Sequence, residues 1–236
     1  MIQLQNITQR YGQRVALSDI TLSIAERQIC GLWGRNGAGK TTLLRITAGL
    51  LKPDSGTALV LGKDPAADWK IRREIGISEE GEAYFPELTI DEFLWWVCKL
   101  RGCDRAAAAE QMKYFAQALS LDDRLDQTIA SLSHGMRRKT GLAAAFLGRP
   151  HLLILDEPTN GLDVDSIQSL CRILAEHRDR GGAALIATHD ALFLRATCSK
   201  VFELERGVLT RSGDVEGSDL LKRVLAHLQA GLPPAD

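Results

Sequence analysis

An α/β fold is what this sequence predicts: a mixed sheet, antiparallel in its N-terminal part, interrupted by a helical insert. Three observations lead there. A glycine-rich loop, Gly34 to Thr42, stands between an apolar strand pattern (Ile29–Trp33) and a helical one (Leu43, Leu44, Ile46, Leu50). Two short continuous apolar runs, Leu152–Leu155 and Ala184–Ala187, suit parallel strands covered on both faces. Between about 86 and 148 no strand pattern occurs and helical spacing prevails. At 236 residues, 45% hydrophobic and 25% charged, the chain has the usual makings of one domain carrying a subdomain.

Taken in order, residues 2–8 alternate imperfectly and 15–24 better, through Leu17, Ile20, Leu22 and Ile24, so both read as strands. Gly49 and Pro53 stop the helix that follows the loop. The sheet is expected to continue through Ala58–Leu61, Ile75–Ile77 and the two apolar runs, then through a hairpin around Glu205-Arg206-Gly207. Ile90, Phe93, Leu94, Val97 and Leu100 mark one amphipathic helix, with a second at 106–119 and a third at 135–148. The expected organisation is an α/β core at 1–85 and 149–212, a helical subdomain at 86–148, and a terminal helix and tail at 213–236.

Composition narrows the classes of function. Lys+Arg 29 against Asp+Glu 30 lacks the basic footprint of a nucleic-acid binder. Cys30, Cys98, Cys103, Cys171 and Cys198 show no zinc spacing and read as reduced thiols of a cytosolic protein. The N-terminus does not resemble a signal peptide, and the longest apolar run, Leu142–Leu147, is far below the roughly 20 residues that span a bilayer. Membrane work would need another chain.

Three motifs carry chemistry. Gly34-Arg35-Asn36-Gly37-Ala38-Gly39-Lys40-Thr41-Thr42 reads as the phosphate-binding loop of a P-loop NTPase core. Its amides would surround a phosphate chain at a helix N-terminus, Lys40 would reach the terminal phosphates, and the Thr41 hydroxyl would ligate Mg²⁺. Leu152–Leu155 ends in Asp156 and Glu157 at the carboxyl edge of the sheet, where ligands collect. Asp156 can hold Mg²⁺, directly or through water, and Glu157 can polarise a water in line with the γ-phosphate. Ser133, in Leu132-Ser133-His134-Gly135-Met136, precedes a helix like an N-cap and offers a second anion site. The triplet Arg137-Arg138-Lys139 opposes the helix dipole; it reads as a solvated basic face, the alternative being attraction of phosphate or acidic partners by Arg137 or Lys139.

This order of motifs, followed by Thr188-His189 after a strand, resembles an ATP-binding cassette (ABC) ATPase over residues 1 to about 210. The Leu132–Met136 signature sets it apart from phosphate-loop kinases. The resemblance implies that Ser133, Gly135 and Met136 bind the γ-phosphate of ATP held by an opposite copy, in a head-to-tail homodimer or paired cassette. It implies that Asn160–Asp163 lines that interface, that His189 contacts the γ-phosphate and positions Glu157, and that Tyr11 stacks on adenine with Val15 and Ala16 near the ribose. A glutamine is usual where Glu80 stands (or Glu79, if the alignment slips by one), so Glu80 is the expected third Mg²⁺ ligand; His134 stands where glycine is usual.

The implied activity is hydrolysis of ATP to ADP and phosphate, coupled to transport through a separate membrane permease and most resembling exporter-type cassettes. The implied location is the cytoplasmic face of a membrane, with no nucleic acid partner. Permease helices would dock near Glu82–Pro86 and the start of the next helix, where Tyr84, Phe85, Trp95 and Trp96 gather. The alternative is a soluble ABC ATPase acting on ribosomes or DNA; such proteins usually carry two cassettes or long coiled-coil insertions.

Overall fold

The computed structural model describes residues 1–79 and 85–215. Strands β1 (Ile2–Tyr11), β2 (Arg14–Ile24) and β4 (Ser55–Val60) form an antiparallel three-stranded sheet in the order β2-β1-β4. A second sheet of six strands runs β5-β6-β7-β3-β8-β9, from β3 (Ile29–Trp33), β5 (Ile75–Ser78), β6 (Leu152–Asp156), β7 (Ala183–Ala187), β8 (Lys200–Glu205) and β9 (Val208–Asp214). Its first five strands are parallel, and β9 closes it as an antiparallel hairpin partner of β8. The single continuous sheet expected from the sequence is therefore two sheets. β1, β2 and β4 pair among themselves and turn Ile2, Leu4, Leu22 and Ile24 onto a core shared with the larger sheet.

Both faces of the larger sheet are covered, which is why the first four residues of β6, Leu152 to Leu155, are all apolar. Leu152 and Ile154 join the core shared with the small sheet and α1 (Lys40–Thr47). Leu153 and Leu155 join the core built with α2 (Ile90–Arg101), α3 (Arg105–Ala118), α4 (His134–Phe146), α5 (Val164–Asp179) and α6 (Ala191–Thr197). The period of two assigns neighbours to opposite layers. Helices α2 to α4 follow β5 and precede β6.

The helix ends follow capping chemistry. Thr89 and Glu92 form a reciprocal capping box at the start of α2, and Gly102, in the left-handed region, ends it. Helix α1 stops at Thr47 because Gly49 turns left-handed at φ 69°, so Leu50, expected inside the helix, lies beyond it and exposed. Strand β9 continues to Asp214, which places 213 and 214 in a strand rather than at the start of the expected terminal helix. The remainder of that expected helix lies outside the described residues. Helices α5 and α6 were not anticipated.

Arg101, the last residue of α2, ties the helical segment to the sheet. Its guanidinium donates to the carbonyls of Ala145, Leu147 and Ile75, joining α4, the segment after it, and β5. Burial pushes its pKa down to about 10, still charged at neutral pH. Replacing Arg101 by Leu removes the donor and strands buried carbonyls. We expect a loss of about 2–4 kcal/mol in unfolding free energy, measured by denaturant titration.

Candidate functional site

The loop at 34–39 has its shape because side chains are excluded at its two end glycines, Gly34 and Gly39. Gly39 sits at φ 110° as the N-cap of α1, and a Cβ there would press on the Ala16 carbonyl. A Cβ on Gly34 would collide with the Leu204 carbonyl of β8. The hairpin turn secures the loop from outside: Gly207 donates to the Ala38 carbonyl at 2.9 Å and accepts from the Ser18 amide at 2.8 Å. The loop thereby joins the two sheets.

Beside the loop lies a cleft of about 290 Å³ lined by Tyr11, Arg14, Ala16, Arg35, Asn36, Gly37, Gly39, Lys40, Thr41, Thr42, Asp156 and Glu157. Residues 115 positions apart meet here: the Thr41 hydroxyl donates to Asp156 Oδ2 at 2.6 Å. Lys40 Nζ donates to the Gly34 carbonyl at 2.7 Å and lies 3.4 Å from Glu157 Oε1. Glu157 Oε2 accepts from the His189 amide at 3.2 Å and faces its ring Nδ1 at 2.9 Å. Asp156 and Glu157 are nearly fully buried, at 2% and 4% exposure. Charge buried so deeply requires partners, and these donors are its partners. Glu157 also holds a left-handed backbone, φ 46°, a strained choice for a side-chain-bearing residue at the strand end.

Tyr11, 51% exposed, stands at the mouth, a flat apolar surface with a free face. Of the two residues expected beside it, Ala16 lines the cleft and Val15 does not. Arg14 was missed: it lines the cleft and donates from Nη2 to the Gly37 carbonyl at 3.3 Å. A cation in the turn beside Tyr11 was the available signal.

Ser133, Gly135 and Met136 are not in this wall. Ser133 caps α4 by accepting the Met136 amide at 3.2 Å, and Gly135 packs so close to the Gly161 carbonyl that a side chain would not fit. The same helix overturns the reading of Arg138 and Lys139 as a solvated basic face: they are 3% and 8% exposed. Arg138 donates to the Glu79 carbonyl at 2.5 Å and to the Asp156 carbonyl. Lys139 Nζ reaches Asp163 Oδ2 at 2.7 Å, and Asp163 in turn caps α5 through the Ser166 amide. The Lys139 bond, with the Ser166 bonds behind it, holds the Asp163 carboxyl well below the usual carboxylate range. Two carbonyls and one carboxylate thus receive the cations at the start of α4.

Glu79 is paired with Arg45 at 2.7 Å. Glu80 lies outside the described residues, as do Glu82, Ala83 and Tyr84. Phe85 and Trp96 meet edge to face at 4.8 Å, and both are exposed, Trp96 at 40%. Trp95 packs against the helical core.

The family described as ABC transporter matches residues 17–160. The chain belongs to the ABC transporter family. It is the ATP-binding and ATP-hydrolysing part of such a system. The cassette is 31% identical to the uncharacterised ABC transporter ATP-binding protein YdbJ of Bacillus subtilis, over 93% of this chain and 71% of YdbJ. It is equally 31% identical to the Nod factor export ATP-binding protein I of Burkholderia orbicola, over 87% of this chain and 68% of that protein. The spermidine/putrescine import ATP-binding protein PotA of Spiroplasma citri is also 31% identical, over 90% of this chain and 61% of that protein. Among solved structures, one described as the ATP binding subunit of an ABC transporter superposes with a TM-score of 0.89 at 26% identity, covering 97% of this cassette and 99% of that chain. Among the described residues no helix is long and apolar enough to cross a membrane.

The Lys139–Asp163 pair gives a pH-dependent prediction. A depressed carboxylate stabilises the fold fully above its unfolded value, near 4, and the contribution disappears as pH falls through the lower folded value. The stability gap between wild type and Lys139→Met should therefore be constant from about pH 5 to 8 and shrink in stronger acid. Thermal unfolding across that range checks it, and Lys139→Arg should restore most of the gap.

Proposed function

We propose that this cassette hydrolyses ATP in a head-to-tail pair with a second cassette and drives transport, in the export direction, through a separate permease at the cytoplasmic face of a membrane. The observation that carries it is the meeting of Lys40, Thr41, Asp156, Glu157 and His189 around one cleft, while Ser133 and Gly135 stand outside its wall. A phosphate-binding cleft whose second anion site lies elsewhere on the chain is completed by another copy. The exporter reading rests on the wording of the signature, Leu132 to Lys139.

On this reading the ATP phosphates lie against the amides of 35–41, and the Lys40 ammonium turns from the Gly34 carbonyl and Glu157 to the terminal phosphates. Tyr11 stacks on the base and Arg14 sits toward the phosphates. The hydroxyl of Thr41 and the carboxylate of Asp156 are hard oxygen donors with room for phosphate oxygens and water, the set that suits Mg²⁺, with Glu80 as a further candidate. Bound there, Mg²⁺ would neutralise phosphate charge. Glu157, released by Lys40, accepts a proton from the attacking water as the P–O bond to ADP breaks. His189 keeps hold of its other oxygen and orients it. Exposed Phe85 and Trp96 suit docking by the permease.

Glu157→Gln keeps the shape and removes the base. Turnover is expected to fall about 10²–10⁴-fold while ATP binding persists and a dimer accumulates at saturating ATP, read by sizing chromatography. A variant that stays monomeric there contradicts the paired reading. Lys40→Ala should weaken ATP binding about tenfold to a hundredfold by calorimetry, the worth of a charge-assisted hydrogen bond.

A further inference from the structure

The five cysteines are scattered in sequence, but two of them meet at the end of α2. Helix α2 closes with the two hydrogen bonds of a Schellman turn: Gly102 donates to the Lys99 carbonyl at 3.1 Å and Cys103 to the Cys98 carbonyl at 3.0 Å. Gly102 is left-handed at φ 73°, as that turn requires. In this turn the residues joined by the outer bond bring their side chains together across the cap. Here both are thiols, and Cys103 adds to the burial that raises the Cys98 thiol. Cys98 is buried in the helical core. Cys103 is half-buried beside Gly148, and both thiols are free.

We propose that Cys98 and Cys103 form a redox modification site, closing to a disulfide when the protein meets a hydroperoxide. Cys103, the more accessible thiol, attacks the terminal peroxide oxygen as its thiolate. The O–O bond breaks, the alcohol or water departs, and Cys103 becomes a sulfenic acid. Cys98 then attacks the Cys103 sulfur. The S–S bond forms, the S–O bond breaks, and the leaving hydroxide takes the Cys98 proton as water. Two thiols are oxidised and one peroxide is reduced, so the step balances.

The order of attack follows from burial, which pushes the Cys98 thiol up to about 12 and leaves it a poor first nucleophile. The other buried thiols, Cys30 and Cys198, are likewise raised to about 12 by burial, and neither sits across a turn from a half-exposed cysteine. Closing the bond would staple the cap directly after Arg101, the residue that ties α2 to α4 and β5. The site thus sits at the carboxyl end of α2, beside that tie, and outside the cleft at the loop.

Trypsin makes the test direct, because Lys99, Arg101 and Arg105 separate the two cysteines into different peptides. After treatment of the full chain with hydrogen peroxide, the expected product is about 2 Da lighter, with two of five thiols lost. Peptides 74–99 and 102–105 should then remain linked until dithiothreitol is added. Cys103→Ser should abolish the link, and Cys98→Ser should leave a sulfenic acid on Cys103 that a dimedone probe traps. Two results overturn the proposal: wild-type Cys103 advancing to sulfinic acid with the two peptides unlinked, or Cys98 pairing with another cysteine. Neither readout requires ATP or a second cassette, so failure here is separable from failure of the transport reading.

Discussion

Two adjacent carboxylates, Asp156 and Glu157, are buried at the end of the strand that runs between β5 and β7, and the structure around them supplies what buried charge requires. Thr41 serves Asp156, while Lys40 and His189 serve Glu157. These donors come from separate elements: the start of α1 and the segment after β7. They converge only because β6 lies beside β7 and β7 beside β3, so three parallel carboxyl ends open on one edge. The doubly covered sheet is thus the condition for the site. Its cores on both faces hold the strand order that lets residues as far apart as Thr41 and Asp156, 115 positions, share a hydrogen bond.

The same pair of acids makes the cleft responsive. Lys40 and Thr41 are the groups whose donors a phosphate chain would take, and they are also the groups now satisfying Glu157 and Asp156. Any ligand that claims them must leave the carboxylates another cation or a new task. The backbone is involved as well, since Arg138 from α4 holds the Asp156 carbonyl and the Glu79 carbonyl together. Strand end, helix α4 and Glu79 are therefore linked by one guanidinium.

Much of this was legible in the sequence. The apolar runs of β6 and β7 announced strands covered on two faces, and the glycines of the loop announced positions where the backbone tolerates no side chain. Those signals are local, set by periodicity and by steric exclusion. What escaped was the pairing of distant residues. Arg138 and Lys139 read as a solvated face because three consecutive cations on a helix usually are one; only the fold brings two carbonyls and Asp163 to them. Arg14 escaped for the same reason, its partner being a carbonyl of the loop. The split into two sheets was hidden because alternation reports which face of a strand is buried, and says nothing about its neighbours.

Lys139 and Gly135 show how α4 joins the Ser133 cap to the segment that follows β6. Gly135 packs on Gly161, and Lys139 grips Asp163, so the Ser133 cap and the segment after Glu157 are held against each other. Glu157 begins that segment and His189 holds it from the other side. A phosphate contacting Ser133 from outside would then be felt, through α4, at Gly161 and Asp163, a few residues from the carboxylate proposed as the base in the same chain. If the partner's ATP is what Ser133 receives, as proposed, each cassette's base is positioned partly by its neighbour's nucleotide. The two hydrolysis sites would be coupled through a glycine contact and a single ion pair, with no need for a longer path.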